Sequence, residues 1–136
     1  MNAIRMQETL HRELIDINDT ESEEKYTKLV RALAKNPRVI QSLGRKGFGR
    51  NGVFFNGKLF AFLSYRKQLV LRLEPELVKD LVATGDGMYW DPRRDGRVFK
   101  HWVVLKPSSK RDWLVLARQA LELAKAPNSP KKIEIR

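Results

Sequence analysis

Apolar positions crowd most densely between Gly47 and Leu73, in GFGRNGVFFNGKLFAFLSYRKQLVLRL. Asn56-Gly57 interrupts the run and is the preferred filling of a type I′ turn, whose two central positions both need positive φ. That turn predicts a register in which Phe55 faces Lys58, Phe54 faces Leu59, Val53 faces Phe60 and Gly52 faces Ala61. Side chains alternate along a strand. Phe54, Leu59, Ala61, Leu63 and Tyr65 are therefore expected on one face, and Val53, Phe55, Phe60 and Phe62 on the other. Both faces are apolar, whereas a half-solvated antiparallel sheet alternates apolar with polar. The second face needs a cover: helices on both sides, a second subunit or a ligand.

The flanking pattern is helical. Met6, Leu10, Leu14 and Ile17 recur at helical spacing and predict an amphipathic helix over 3–17. A second helix starts at Thr20 as N-cap with Glu23 three residues on; Tyr26, Leu29, Val30 and Leu33 form its inner stripe, and Asn36-Pro37 ends it. Residues 38–43 fit either an extended segment or a helical turn. A glycine-rich basic loop follows (Gly44 to Arg50), then the hairpin. Gln68 to Leu73 reads as a third strand, with Leu69, Leu71 and Leu73 on one face. Glu74-Pro75 opens a short helix, lined inside by Leu77, Val78, Leu81 and Val82, with Gly85 as its C′ residue. Met88 to Asp91 reads as a short edge strand, Pro92 to Gly96 as a turn, and Arg97 to Leu105 as the last strand. That strand is expected to alternate Phe99, His101, Val103 and Leu105 against Val98, Lys100, Trp102 and Val104. A closing helix is expected from about Lys110 to Ala126, with Trp113, Ala117, Ala120 and Ala124 along one stripe.

Strands joined by hairpin-length turns and flanked by helices indicate a two-layer α+β fold with an antiparallel sheet of four to five strands, in the order α-α-β-β-β-α-(β)-β-α. One domain is expected over 1–126, its core about 38–126 and its N-terminal helices within 3–36, followed by a basic, mobile tail over 127–136.

Charge sharpens the functional question. Lys and Arg number 27 against 16 Asp and Glu, a net +11. Residues 1–36 carry 6 basic and 7 acidic side chains, residues 37–136 carry 21 and 9. A field of that sign attracts polyanions; the plainer reading is solubility. The candidate cations are Arg45, Lys46, Arg50, Arg66, Lys67, Arg93, Arg94, Arg97, Lys100, Lys110 and Arg111. Several sit beside Tyr65, Trp90, Trp102 or Trp113, the cation-plus-ring pairing that nucleic-acid binders use. The absence of cysteine removes disulfides, thiolate metal sites and cysteine nucleophiles. It fits a reducing cytoplasm. The first residues, MNAIRMQETLHRELID, show no apolar signal core, and no apolar run approaches a membrane span. A cytoplasmic protein is the expectation.

Two glycine patterns mislead. Gly47 to Gly52 matches G-x-G-x-x-G, but the dinucleotide fingerprint opens a helix and this one opens a strand. Gly52 to Lys58 matches the first part of a P-loop, with Leu59 where the magnesium-binding Ser or Thr belongs. Glycine backbone with three cations at 44–50 could still cradle a phosphate. Of the two histidines, His11 reads as a surface residue of the first helix. His101 reads as a buried, hydrogen-bonded side chain; a catalytic or metal role with Asp91 and Asp95 is the weaker alternative. No cofactor is implied.

The run GFGRNGVFFNGKLFAFL, the short helix ending at Gly85, and WDPRRDGRVFKHWV before a closing helix resemble the TfoX N-terminal-like family. The resemblance rests on Phe48-Gly49, on Gly52 with Gly57-Lys58-Leu59-Phe60-Ala61, and on Gly96-Arg97 with Trp102, and spans roughly residues 44–125. It implies a two-layer fold distantly similar to YjbR-like and secretion-chaperone-like domains. The named member of that family regulates competence genes; many members stand alone without an assigned activity, and the family brings no catalytic residues to carry over. This chain departs from the longer regulators in lacking their helical C-terminal domain and in carrying two extra N-terminal helices.

The first functional expectation is accordingly a non-enzymatic interaction or regulatory domain with a protein partner or as a homodimer. The alternatives are sequence-nonspecific nucleic-acid binding through a basic surface, and a small-ligand or enzyme site around His101 and the Gly44–Arg50 loop.

Overall fold

In the computed structural model, residues 21–42 and 51–126 are described. The first predicted helix, the Thr20 cap, the tail, and Arg45, Lys46 and Arg50 of the glycine-rich loop lie outside the described residues.

The described chain runs α1 (residues 21–33), β1 (Val39–Gln41), β2 (Val53–Phe55), β3 (Lys58–Leu63), β4 (Leu69–Arg72), α2 (Pro75–Ala83), β5 (Gly87–Trp90), β6 (Phe99–Leu105) and α3 (Trp113–Lys125). All strands join one antiparallel sheet in the order β1-β2-β3-β4-β6-β5. The α+β class is as the pattern indicated. The sheet has six strands rather than four or five, because the undecided 38–43 segment pairs with β2 at the edge. The closing helix starts at Trp113, later than Lys110, because the Asp112 carboxylate accepts from the Leu114 and Val115 backbone N–H groups and caps it there.

Asn56 and Gly57 take φ values of 48° and 81°, as the type I′ turn requires. Phe55 faces Lys58 and Phe54 faces Leu59, but Val53 faces Ala61 rather than Phe60. Phe60 is an extra residue, a β-bulge that interrupts alternation. Phe60, Ala61 and Leu63 consequently join Val53 and Phe55 in one core, while Phe62 passes to the other face with Leu59 and Phe54.

The first face is roofed by helices. Tyr26, Leu29, Val30 and Leu33 of α1, Val78 and Leu81 of α2, and Leu116, Ala117, Ala120, Leu121 and Ala124 of α3 share one core with the sheet residues. The three alanines are essentially inaccessible to solvent and let α3 lie close on β3 and β4. No polar side chain among the described residues is fully buried.

The second face carries a buried aromatic cluster. Val70 and Val104 form its floor, and Phe62, Trp90 and Trp102 close over them with Leu59, Phe54 and Phe99. The Trp90 and Phe62 ring centroids lie 5.2 Å apart. Their strands, β5 and β3, are three steps apart in the sheet, roughly 14 Å at ~4.8 Å per step, so the two rings meet over β6 and β4. Trp90 also touches Phe99 at 5.6 Å and Trp102 at 5.5 Å. The β5–β6 pairing jumps at this point, from Tyr89 opposite Val103 to Trp90 opposite Phe99. That irregularity leans the hairpin tip over the second face and breaks the expected alternation of β6. Phe99 joins Trp102 and Val104, and His101 is exposed rather than buried.

Removing the Trp90 ring opens this face. Trp90→Ala is expected to lower unfolding stability by about 3–5 kcal/mol, read as a fall in the urea midpoint at unchanged slope.

Candidate functional site

Antiparallel order gathers loops at sheet ends. Gln41 pairs with Val53, Leu63 with Leu69, and Leu105 with Gly87. The end of β1, the β3–β4 turn and the loop after β6 therefore lie at one end, which we call the upper end. The N-terminus of α1 is tied there by an ion pair of 3.0 Å between Glu23 and Lys67.

Two adjoining recesses open at this end. One, of about 470 Å3, is lined by Lys25, Arg66, Lys67 and Lys106 together with Glu21 and Trp113. The other, of about 440 Å3, is lined by Lys25, Lys28, Lys110 and Arg111 with Asp112 and Trp113. They share Lys25 and Trp113, and the Lys25 ammonium sits 4.3 Å from the centre of the indole. That cation–π seat holds one positive charge at the junction of the recesses.

Some of these cations have carboxylate partners. Lys67 pairs with Glu23, and Arg111 donates from Nε to Asp86 at 3.1 Å. Asp86 also accepts from the Thr84 hydroxyl at 2.7 Å and the Ser109 hydroxyl at 3.0 Å. The Thr84 bond, followed by those from Arg111 and Ser109, holds its carboxyl below the usual aspartate range. Asp86 thereby fastens the loop after β6 to the end of α2. Lys25, Lys28, Arg66, Lys106 and Lys110 have no ion-pair partner among the described residues.

Beside the first recess stands Tyr65, 79% exposed. Its phenol oxygen accepts from Arg66 Nε at 3.1 Å and from Arg94 Nη2 at 3.2 Å. Two guanidinium groups thus meet at one neutral oxygen, and Arg94 has no carboxylate partner among the described residues. The Arg66 hydrogen bond and charge, aided by Arg94, hold the phenol below the ordinary tyrosine range. Arg94 comes from the 91–98 loop and reaches the β3–β4 turn because the hairpin tip leans over the second face.

Of the predicted cations, Arg66, Lys67, Lys110, Arg111 and Arg94 converge at the upper end. Arg93, Arg97 and Lys100 are exposed on the 91–100 segment and line neither recess. Lys106, near Trp113 in the sequence, lines the first recess as well; Lys25 and Lys28 were not foreseen. The first 36 residues balance in sum, and a sum is blind to which helix face its lysines occupy.

His101 lines none of three recesses mapped on the described surface. Asp91 Oδ2 accepts from the Gly96 N–H and Asp95 Oδ1 from the Arg97 N–H, so both carboxylates brace their own loop. No metal-holding group of three or more His, Cys, Asp or Glu occurs among the described residues. No helix there is long and apolar enough to cross a membrane.

A hydrogen-bond knot ties the upper end to the core. The Tyr26 hydroxyl donates to the Asn51 carbonyl at 2.7 Å, Gln41 Nε2 donates to the same oxygen, and the Leu63 N–H donates to Asn51 Oδ1. Ser42 N–H donates to the Gly52 carbonyl. Ser42 and Asn51 are thus fixed beside the β3–β4 turn. Burial pushes the Tyr26 phenol far above the ordinary tyrosine value of 10.0. The native state keeps this proton when the unfolded chain has released it, so the contribution is complete below pH ~10 and declines as pH rises past it. Between pH 9 and pH 11 the urea midpoint is expected to fall more for the native chain than for Tyr26→Phe. Equal declines in the two proteins would contradict this assignment.

Compared with protein-family models, with curated proteins and with solved structures, the chain matches none.

Proposed function

We propose that this is a non-enzymatic binding domain, acting in the cytoplasm, that engages a polyanion through the upper-end recesses. The supporting observation is convergence. Lys25, Lys28, Arg66, Arg94, Lys106 and Lys110 come from four separate segments of the chain, meet around Trp113 and Tyr65, and lack ion-pair partners among the described residues. Like charges gathered in this way repel one another, and a ligand that brings phosphates relieves the repulsion. A nucleic-acid backbone supplies phosphates at regular spacing and releases counterions when it is neutralised. Solubility alone calls for dispersed charge, not for cations facing shared recesses.

The resemblance to TfoX N-terminal-like domains fits the same proposal, since that family brings no catalytic residues. The non-enzymatic reading is further supported by His101, which stands exposed and apart from the recesses. The expectation of a homodimer arose from the apolar second sheet face; the polyanion reading is preferred because Trp90, Trp102 and Phe62 are already buried on that face in a single chain.

Fluorescence anisotropy with mixed-sequence oligonucleotides tests the proposal. Log affinity should fall linearly with log salt, with a slope of about −3 to −4 when four to six phosphates are engaged. Lys25→Glu and Lys106→Glu should each weaken binding and flatten that slope, while Lys79→Glu on exposed α2 surface should leave both within about twofold. Equal losses from all three substitutions would mean net charge acts without a site.

A further inference from the structure

The polyanion is, we propose, single-stranded nucleic acid, with the Tyr65 ring as a platform on which one base stacks. This rests on the polyanion reading and adds to it the strandedness of the ligand and a residue that touches the base.

Among the described residues Tyr65 is the most exposed of the large hydrophobic side chains that stand open to solvent, and its ring is not loose. Two guanidiniums hold its oxygen, and the Arg66 guanidinium lies 5.5 Å from the ring centre. An exposed ring fixed at its far end has little freedom left to lose when a base stacks on it. A planar guanidinium beside it extends the surface available for stacking. Trp113 has a different part: its indole packs against the core and seats Lys25, so it fixes a cation rather than receiving a base.

Strandedness follows from where the base faces are. A duplex keeps them stacked inside and offers a protein its phosphates and groove edges. It can present a free base face to Tyr65 only at an end. A single strand offers a face at every nucleotide, and its flexible backbone can turn its phosphates toward cations on the walls of a recess. Arg66 belongs both to the recess wall and to the Tyr65 cluster. A phosphate held by Arg66 therefore places the adjoining base next to the ring.

The experiment compares single-stranded and duplex oligonucleotides of about 12 nucleotides or base pairs at one salt concentration, on the native chain, Tyr65→Ala and Tyr65→Phe. Circular dichroism confirms that the variants fold, which the exposure of Tyr65 favours. The single strand should bind more tightly than the duplex. Tyr65→Ala should lose about fivefold or more of single-strand affinity with the salt slope unchanged, because it removes stacking and no phosphate contact. Tyr65→Phe should keep most of the affinity, since the ring remains. Equal affinity for both forms together with a silent Tyr65→Ala would overturn this inference and leave the polyanion reading standing. Failure of both forms to bind the native chain at low salt would overturn both readings.

Discussion

One contact organises the molecule: the meeting of Trp90 and Phe62 over the second face of the sheet. An antiparallel sheet in a protein of this size can roof one face with helices, and α1, α2 and α3 do so. The bulge at Phe60 sends the Phe62 ring to the other face in place of Ala61 and Leu63. Aromatic pairs at such distances add about 0.5–1.5 kcal/mol to their burial, and Trp90 makes three of them with other described residues. The β5–β6 hairpin gives up regular pairing at its tip to reach this position. The irregularity at Trp90 is thus the counterpart of the bulge at Phe60, one delivering the ring and the other its partner.

The same lean builds part of the site. The 91–98 loop would otherwise lie at the lower end of the sheet, away from the other cations. With Trp90 drawn over the face, Arg94 reaches Tyr65 and joins Arg66. Antiparallel order brings the remaining charges together, because successive hairpins return their loops to the same end. Asp86 then fixes the loop after β6, and the Asn51 knot fixes the sheet edge beside the β3–β4 turn. The recess is a product of topology, and local sequence motifs contribute little to it.

That division explains what could be read from the residues. Turn chemistry is local, so Asn56-Gly57, Glu74-Pro75 and Gly85 predicted their structures correctly. Helical stripes are nearly local, and those of α1, α2 and α3 face the core as their spacing indicated. Strict alternation failed at Phe60, where a bulge leaves no mark in a run of apolar residues, and between Phe99 and Trp102, where the β5–β6 pairing shifts register. His101 was misplaced for this reason. The site was legible as to which residue types it uses and illegible as to their grouping. Arg66, Lys67, Lys110 and Arg111 were named, but Lys25 and Lys28 sit in a segment of balanced charge. Nothing short of the sheet order puts Arg94 beside Tyr65.

The account is tested most directly by a nuclear Overhauser spectrum of the protein with protonated aromatic and arginine side chains in a deuterated background. It predicts cross-peaks from the Trp90 indole to the Phe62 ring, and from the Arg94 guanidinium to the Tyr65 ring. A spectrum in which Trp90 contacts only its own hairpin, with Arg94 remote from Tyr65, would contradict it.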